Sequence, residues 1–127
     1  MQTAHLRPHV DHIAPDGSEI RLLLQLDSGQ IAHCILPPGK TSGATHHKTV
    51  SELWYILAGH GEIWRKFGSD EQVTDLVSGT AIDIPCGTHF QFRNAGTDPL
   101  VILLTTMPPW PGPNEAVVVE GHWPIGE

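Results

Sequence analysis

The chain has 127 residues, enough for one domain with its own core, and 39% of them are hydrophobic against 17% charged. Its formal net charge of -7 lacks the basic footprint that nucleic acid needs, so nucleic acid is excluded as a partner. The sequence has no long uncharged apolar run, and the start MQTAHLRPHVDHIAPDG has no apolar stretch of the signal-peptide kind, so neither a membrane partner nor export is expected and the expected home is cytoplasmic.

Residues 1–17 are polar and mixed, and they close on APDG, whose Pro, Asp and Gly favour a turn. SEIRLLLQL (18–26), a DSG turn and QIAHCILPPG (30–39) then read as a hairpin ended by Pro-Pro-Gly. A polar segment at 40–51 leads into ELWYILAG (52–59), whose aromatic and aliphatic residues favour a strand. HGEIWRKFG (60–68) returns after a Gly-His-Gly turn, with Ile63, Arg65 and Phe67 on one face. EQVTDLVSG (71–79), TAIDIP (80–85) and CGTHFQFRNAG (86–96) follow, the last with Phe90 and Phe92 opposite His89, Gln91 and Arg93. DPLVILLTTM (98–107) is nearly all apolar and predicts a strand buried on both faces.

Strands thus recur at short intervals with turn signals between them, and no window carries a helical period. The pattern predicts an all-β sandwich or barrel whose core spans about residues 18–107, within a single domain covering 1–127. The tail, 108–127, is different: four prolines surround Trp110, which forbids a central strand, although EAVVVEG (115–121) could add an edge strand. Trp110 and Trp123 need a surface to pack on, either one end of this domain or a second subunit. The two cysteines, Cys34 and Cys86, do not form a C-x-x-C pair and are read as reduced, and His33 and His60 are read as surface residues.

Two stretches carry a family likeness. Gly39, five residues, Thr45-His46-His47, four residues, Glu52, six residues and Gly59 follow the spacing G-x5-H-x-H-x3,4-E-x6-G. Gly79, five residues, Pro85, Gly87, His89, Phe90 and Asn94 follow G-x5-P-x-G-x2-H-x3-N, with Phe90 at the histidine position. In these motifs the chain resembles the cupins, and the resemblance implies a double-stranded β-helix, or jelly-roll, barrel. It also implies an interior metal site in which two histidines and a glutamate of the first motif join one histidine of the second. Thr45 stands at the first of those positions here, His47 at the second, Glu52 at the third and Phe90 at the fourth.

Alternate side chains of a strand share a face, so Thr45 and His47 point together, as do Phe90 and Phe92. His46 and His89 then point outward, and they join His47 and Glu52 as metal ligands only if a bulge re-aims them. A two-histidine, one-carboxylate set of that kind suits a divalent Fe, Mn, Ni or Zn ion. Without such a shift, His47 and Glu52 are a hydrogen-bonded pair in a polar pocket. Thr45, Trp54, Phe90 and Phe92 are the expected lining of a pocket for a small, partly apolar organic ligand. Two functions are consistent with this: a metal-dependent enzyme of dioxygenase, cyclase or isomerase type, and a non-catalytic binding or sensor module. Few lysines and arginines lie near the site, which speaks against a sugar phosphate. Leu53, Tyr55 and Leu57 form an apolar face opposite Glu52, and together with the resemblance they predict a homodimer.

Overall fold

Turn glycines and prolines cut the chain into short strands, and the computed structural model, which describes residues 1–125, contains eleven of them and no helix among those residues. They are β1 (His12–Ile13), β2 (Glu19–Leu26), β3 (Gly29–Leu36), β4 (Thr45–His47), β5 (Ser51–Ala58), β6 (His60–Phe67), β7 (Asp70–Val77), β8 (Ala81–Ile84), β9 (His89–Asn94), β10 (Leu100–Met107) and β11 (Ala116–Val118). One sheet has the order β1-β2-β3-β10-β5-β8 and the other the order β11-β4-β9-β6-β7. The fold is all-β, a double-stranded β-helix. No helix among the described residues is long and apolar enough to cross a membrane.

The core lies between the sheets and follows from the period of two along each strand. On β5 the buried residues are Glu52, Trp54 and Ile56, while Leu53, Tyr55 and Leu57 are exposed. The opposite sheet contributes Ile63, Leu76, Phe90 and Phe92 to the same cluster. Each such side chain stabilises the fold by roughly 1.5–3 kcal/mol relative to staying in water. At the β5–β6 turn Gly59 takes φ +90°, and a Cβ there would collide with the carbonyl of Pro99. That close approach, and not only the turn, requires a glycine.

Two expectations change. Strand β10 is not buried on both faces: burial alternates along it, with Leu100, Ile102, Leu104 and Thr106 buried and the residues between them half-buried. It lies between β3 and β5, so its apolar outer face belongs to a surface and not to a second core. Within the polar segment 40–51, Thr45–His47 forms a strand, as the pairing of Thr45 with His47 on one face requires, with β9 on one side and β11 on the other. His33 is buried rather than superficial, and its Nδ1 has no hydrogen-bond partner.

The tail packs on the barrel itself. β11 adds to the edge of β4, with Ala116 opposite His47. The Glu115 carboxylate accepts hydrogen bonds from the Thr49 and Val50 amides at 2.7 and 2.8 Å and from the Thr49 hydroxyl at 2.8 Å. Burial alone would raise the Glu115 pKa, but these bonds outweigh it and hold the carboxyl below its ordinary value. Farther along, the fully buried Gln91 side chain donates to the carbonyls of Ser42 and Trp123 and accepts from the amides of His122 and Trp123. The Arg93 guanidinium, paired with Glu62 at 2.7 Å, lies 4.3 Å from the Trp123 ring centroid.

Candidate functional site

Strand β4 and the start of β5 bring two ionisable residues to the barrel interior. His47 and Glu52 are 5% and 6% exposed, and His47 Nδ1 lies 3.4 Å from Glu52 Oε2. The approach is not aligned as a hydrogen bond, so His47 Nδ1 is a buried nitrogen without a partner. The other Glu52 oxygen accepts the Trp54 indole N–H at 2.7 Å. Phe90 and Trp110 meet the His47 ring edge-on at centroid distances of 5.3 and 4.9 Å.

Burial sets the protonation of this pair. It raises the Glu52 pKa to about 7, a rise that the Trp54 hydrogen bond opposes and the Asp16 charge reinforces. Burial likewise lowers the His47 pKa to about 4, with the Glu115 charge opposing and His46 reinforcing. Both groups are therefore driven toward their neutral forms, and the contact is not a fixed ion pair.

The pair faces a cavity of about 70 Å³. Thr45, Thr106 and Gln30 add polar groups, and Trp54, Leu104 and Trp110 supply apolar wall. The hydroxyl of Thr106 is also buried without a hydrogen-bond partner. The turn before β2 closes one side, where Asp16 accepts from the Ser18 amide at 3.0 Å and from its hydroxyl at 2.6 Å. Burial raises the Asp16 pKa against the effect of those bonds.

The structure thus brings Thr45, His47, Glu52 and Trp54 to one cavity. It does not bring Phe90 and Phe92 into the lining: both are buried and pack edge-on against Trp54, at centroid distances of 6.1 and 4.9 Å. His46 and His89 are not re-aimed inward. Their rings stack on each other at 5.2 Å and 10°, on the face away from the cavity. The ladder puts Thr45 directly opposite Phe90, so the register that directs His47 inward directs both other histidines out. The bulges of the fold lie elsewhere, at Leu22–Leu24 and at Val101–Ile102. Cys86 is half-buried with its thiol toward the Lys48 carbonyl, whereas Cys34 lines the cavity and burial raises its pKa.

A resident transition metal rests on three or more protein ligands in sites of this type. His47 and Glu52 are two, and no cluster of three or more His, Cys, Asp or Glu suited to a metal occurs among the described residues. The donor set therefore does not fit a tightly held Fe, Mn, Ni or Zn ion.

Among the cavity residues that sequence reasoning missed are Thr106, Asp16 and Trp110. Thr106 was within reach of it, because it continues the inward alternation Ile102, Leu104, Thr106. Asp16 was visible only as a turn residue. Trp110 had no periodic signal, since it stands in a proline-rich tail; its amide donates to Gln30 Oε1 at 3.3 Å.

Comparison with known proteins gives the same architecture. The Cupin_2 family model, described as a cupin domain, matches residues 32–106. An uncharacterized protein of Methanocaldococcus jannaschii is 33% identical over 104 residues, which cover 78% of this chain and 80% of that protein. Among solved structures, an uncharacterized conserved protein with a double-stranded β-helix domain from Klebsiella pneumoniae superposes with a TM-score of 0.67, 18% identity and 91% of each chain covered. Oxalate decarboxylase from Bacillus subtilis superposes with a TM-score of 0.76 and 14% identity, over 93% of this chain and 32% of that one. At such identities the two structures show a shared fold alone.

Proposed function

The chain belongs to the cupin domain family, and from that premise we propose that it binds a small organic molecule inside the barrel without a tightly held metal. The observation that carries this reading is the pair of unpartnered buried groups, His47 Nδ1 and Thr106 Oγ1, facing one cavity with an apolar wall. Buried polar groups of this kind are ordinarily satisfied, and a bound ligand satisfies them. Glu52, with its pKa near neutrality, can hold or release a proton toward that ligand. Fold alone does not choose between binding and catalysis.

Metal analysis of protein purified without added metal tests the proposal, combined with a small-molecule screen by thermal shift. The expected result is substoichiometric metal that desalting removes, together with stabilising organic ligands whose effect is lost in His47→Ala. A stoichiometric transition metal that survives desalting and disappears in Glu52→Ala would overturn the metal-free reading. One observation favours that second reading, a metal-dependent enzyme of dioxygenase, cyclase or isomerase type. Nδ1 of His47 and Oε2 of Glu52 face each other at 3.4 Å with no hydrogen bond between them, as two ligands of one ion would.

The outer face of β5 carries Leu53, Tyr55 and Leu57 at 51%, 46% and 42% exposure, beside the half-buried apolar face of β10. A continuous apolar sheet face calls for a cover, and a second copy of the chain offers a self-complementary one. We therefore propose that the chain forms a homodimer through this face. Size exclusion at micromolar concentration is expected to give a dimer that Leu53→Glu dissociates, and a wild-type monomer would sink the assignment.

A further inference from the structure

The charges around the cavity name the class of molecule it takes, provided that it is a small-molecule site as proposed above. Two carboxylates face it, Glu52 from β5 and Asp16 from the turn before β2. No Lys or Arg is among the described residues that line it. Its other ionisable lining groups are His47, Cys34 and His12, and of these His12 is exposed. Neither carboxylate has a cationic partner. Asp16 is bonded to the neutral Ser18, and Glu52 to the indole of Trp54.

We propose that the cavity takes a small organic cation, a primary or substituted ammonium ion, held between Glu52 and Asp16 against the indoles of Trp54 and Trp110. An ammonium group donates hydrogen bonds and accepts none. The groups left open in the cavity can all accept: Oε2 of Glu52, Oγ1 of Thr106, and Nδ1 of His47 in the tautomer protonated at Nε2. The cation supplies the countercharge that two enclosed carboxylates lack. Indole surfaces attract cations through their quadrupole, most strongly where water is displaced. A carboxylate or phosphate would meet two acidic groups and no basic residue, so anionic ligands are disfavoured here. The formal net charge of -7 favours the approach of the same class of ligand.

The test uses three probes of matched chain length, propylammonium, 1-propanol and propionate, titrated at pH 8 into the full-length protein. The signals followed are the indole N–H resonances of Trp54 and Trp110. Propylammonium is expected to shift both and to bind about ten-fold more tightly than 1-propanol, with propionate weakest. Asp16→Asn keeps an acceptor for Ser18 and is expected to weaken propylammonium by about five-fold while leaving 1-propanol unchanged. Glu52→Gln is expected to remove most of the preference for the cation, and Asp16→Asn still decides the matter if that variant does not fold. Propionate binding as tightly as propylammonium, or a cation preference untouched by Asp16→Asn, overturns the assignment of ligand class but not the binding site. If none of the three probes moves either indole, the small-molecule reading of the barrel falls with it.

Discussion

In the barrel, β10 pairs with β3 and with β5 along its whole length, and the fifteen-residue buried cluster packs against those ladders. Residues 108–125 are fastened differently, by the short β11–β4 ladder and by single residues: Trp110 at the cavity, Glu115 on the 49–50 turn, and Gln91 on the backbone of His122 and Trp123. The first region is stabilised by repetition, so many positions share the load. In the second, one side chain can carry a whole segment. Damage to the barrel should therefore be global and damage to the tail local.

The largest effect is expected at Trp54, which is 3% exposed, packs on Phe90 and Phe92, and bonds Glu52. Trp54→Ala should cost about 3–5 kcal/mol in chemical denaturation. Protection from hydrogen exchange should then fall throughout the barrel. A loss confined to residues near β5 would contradict the shared-load picture.

Gln91→Leu should come next, at about 2–3 kcal/mol in the local opening of the tail, because it leaves the four backbone groups bonded by Gln91 without partners near the surface of the core. Here the exchange pattern matters more than the magnitude. Residues around His122 and Trp123 should exchange faster while β3, β5 and β10 keep their protection. If the whole barrel loosens, the tail is an integral part of the fold and not a strap on it.

That contrast also explains what the sequence made legible. Alternation over β5 and the spacing of Gly39, Gly59 and Gly79 are repeated signals, and they located strands, turns and the inward direction of His47 and Glu52. β4 is three residues long, too short for a pattern of its own, and it was readable only through the motif that contains it. The tail offered prolines and tryptophans but no period. Its tryptophans called for one end of the domain or a second subunit to pack on, but nothing in its sequence says that Trp110 lines the cavity or that a buried glutamine on β9 holds its end. Asp16 was hidden for the same reason, since a turn aspartate satisfies local rules whether or not it faces a site.

The inner pair gives a pH signature of on the order of 3 kcal/mol per partner. Glu52 has a raised folded pKa, about 7 against an ordinary 4.5, so the folded state holds a proton that the unfolded state has lost between those values. Its contribution therefore falls as pH rises from 4.5 through 7. His47 has a lowered folded pKa, about 4 against 6.5, so its contribution rises with pH over nearly the same window. In the wild type the two slopes oppose each other, and folding moves one proton from imidazole to carboxyl. Glu52→Gln should gain stability relative to wild type as pH rises from 4.5 to 7, and His47→Gln should gain as pH falls from 6.5 to 4. Parallel unfolding curves for the wild type and both variants across that range would refute the assignment of the neutral pair.

The smallest effect is expected one residue away from His47. His46 stacks on His89 on the face opposite the cavity, with no hydrogen bond of its own stronger than a 3.5 Å contact to the His47 carbonyl. A partly solvated stack of this kind contributes little, so His46→Ala should change stability by about 0.5 kcal/mol or less. It should leave the indole resonances of Trp54 and Trp110 in place. His47→Ala, in contrast, removes a ring packed between Phe90 and Trp110 and should move both resonances as well as lower stability. The two substitutions are adjacent in the chain and chemically identical, so only the direction of the side chain separates them. If His46→Ala perturbs the cavity as strongly as His47→Ala, β4 is bulged in solution, and the doubled histidine serves the interior after all.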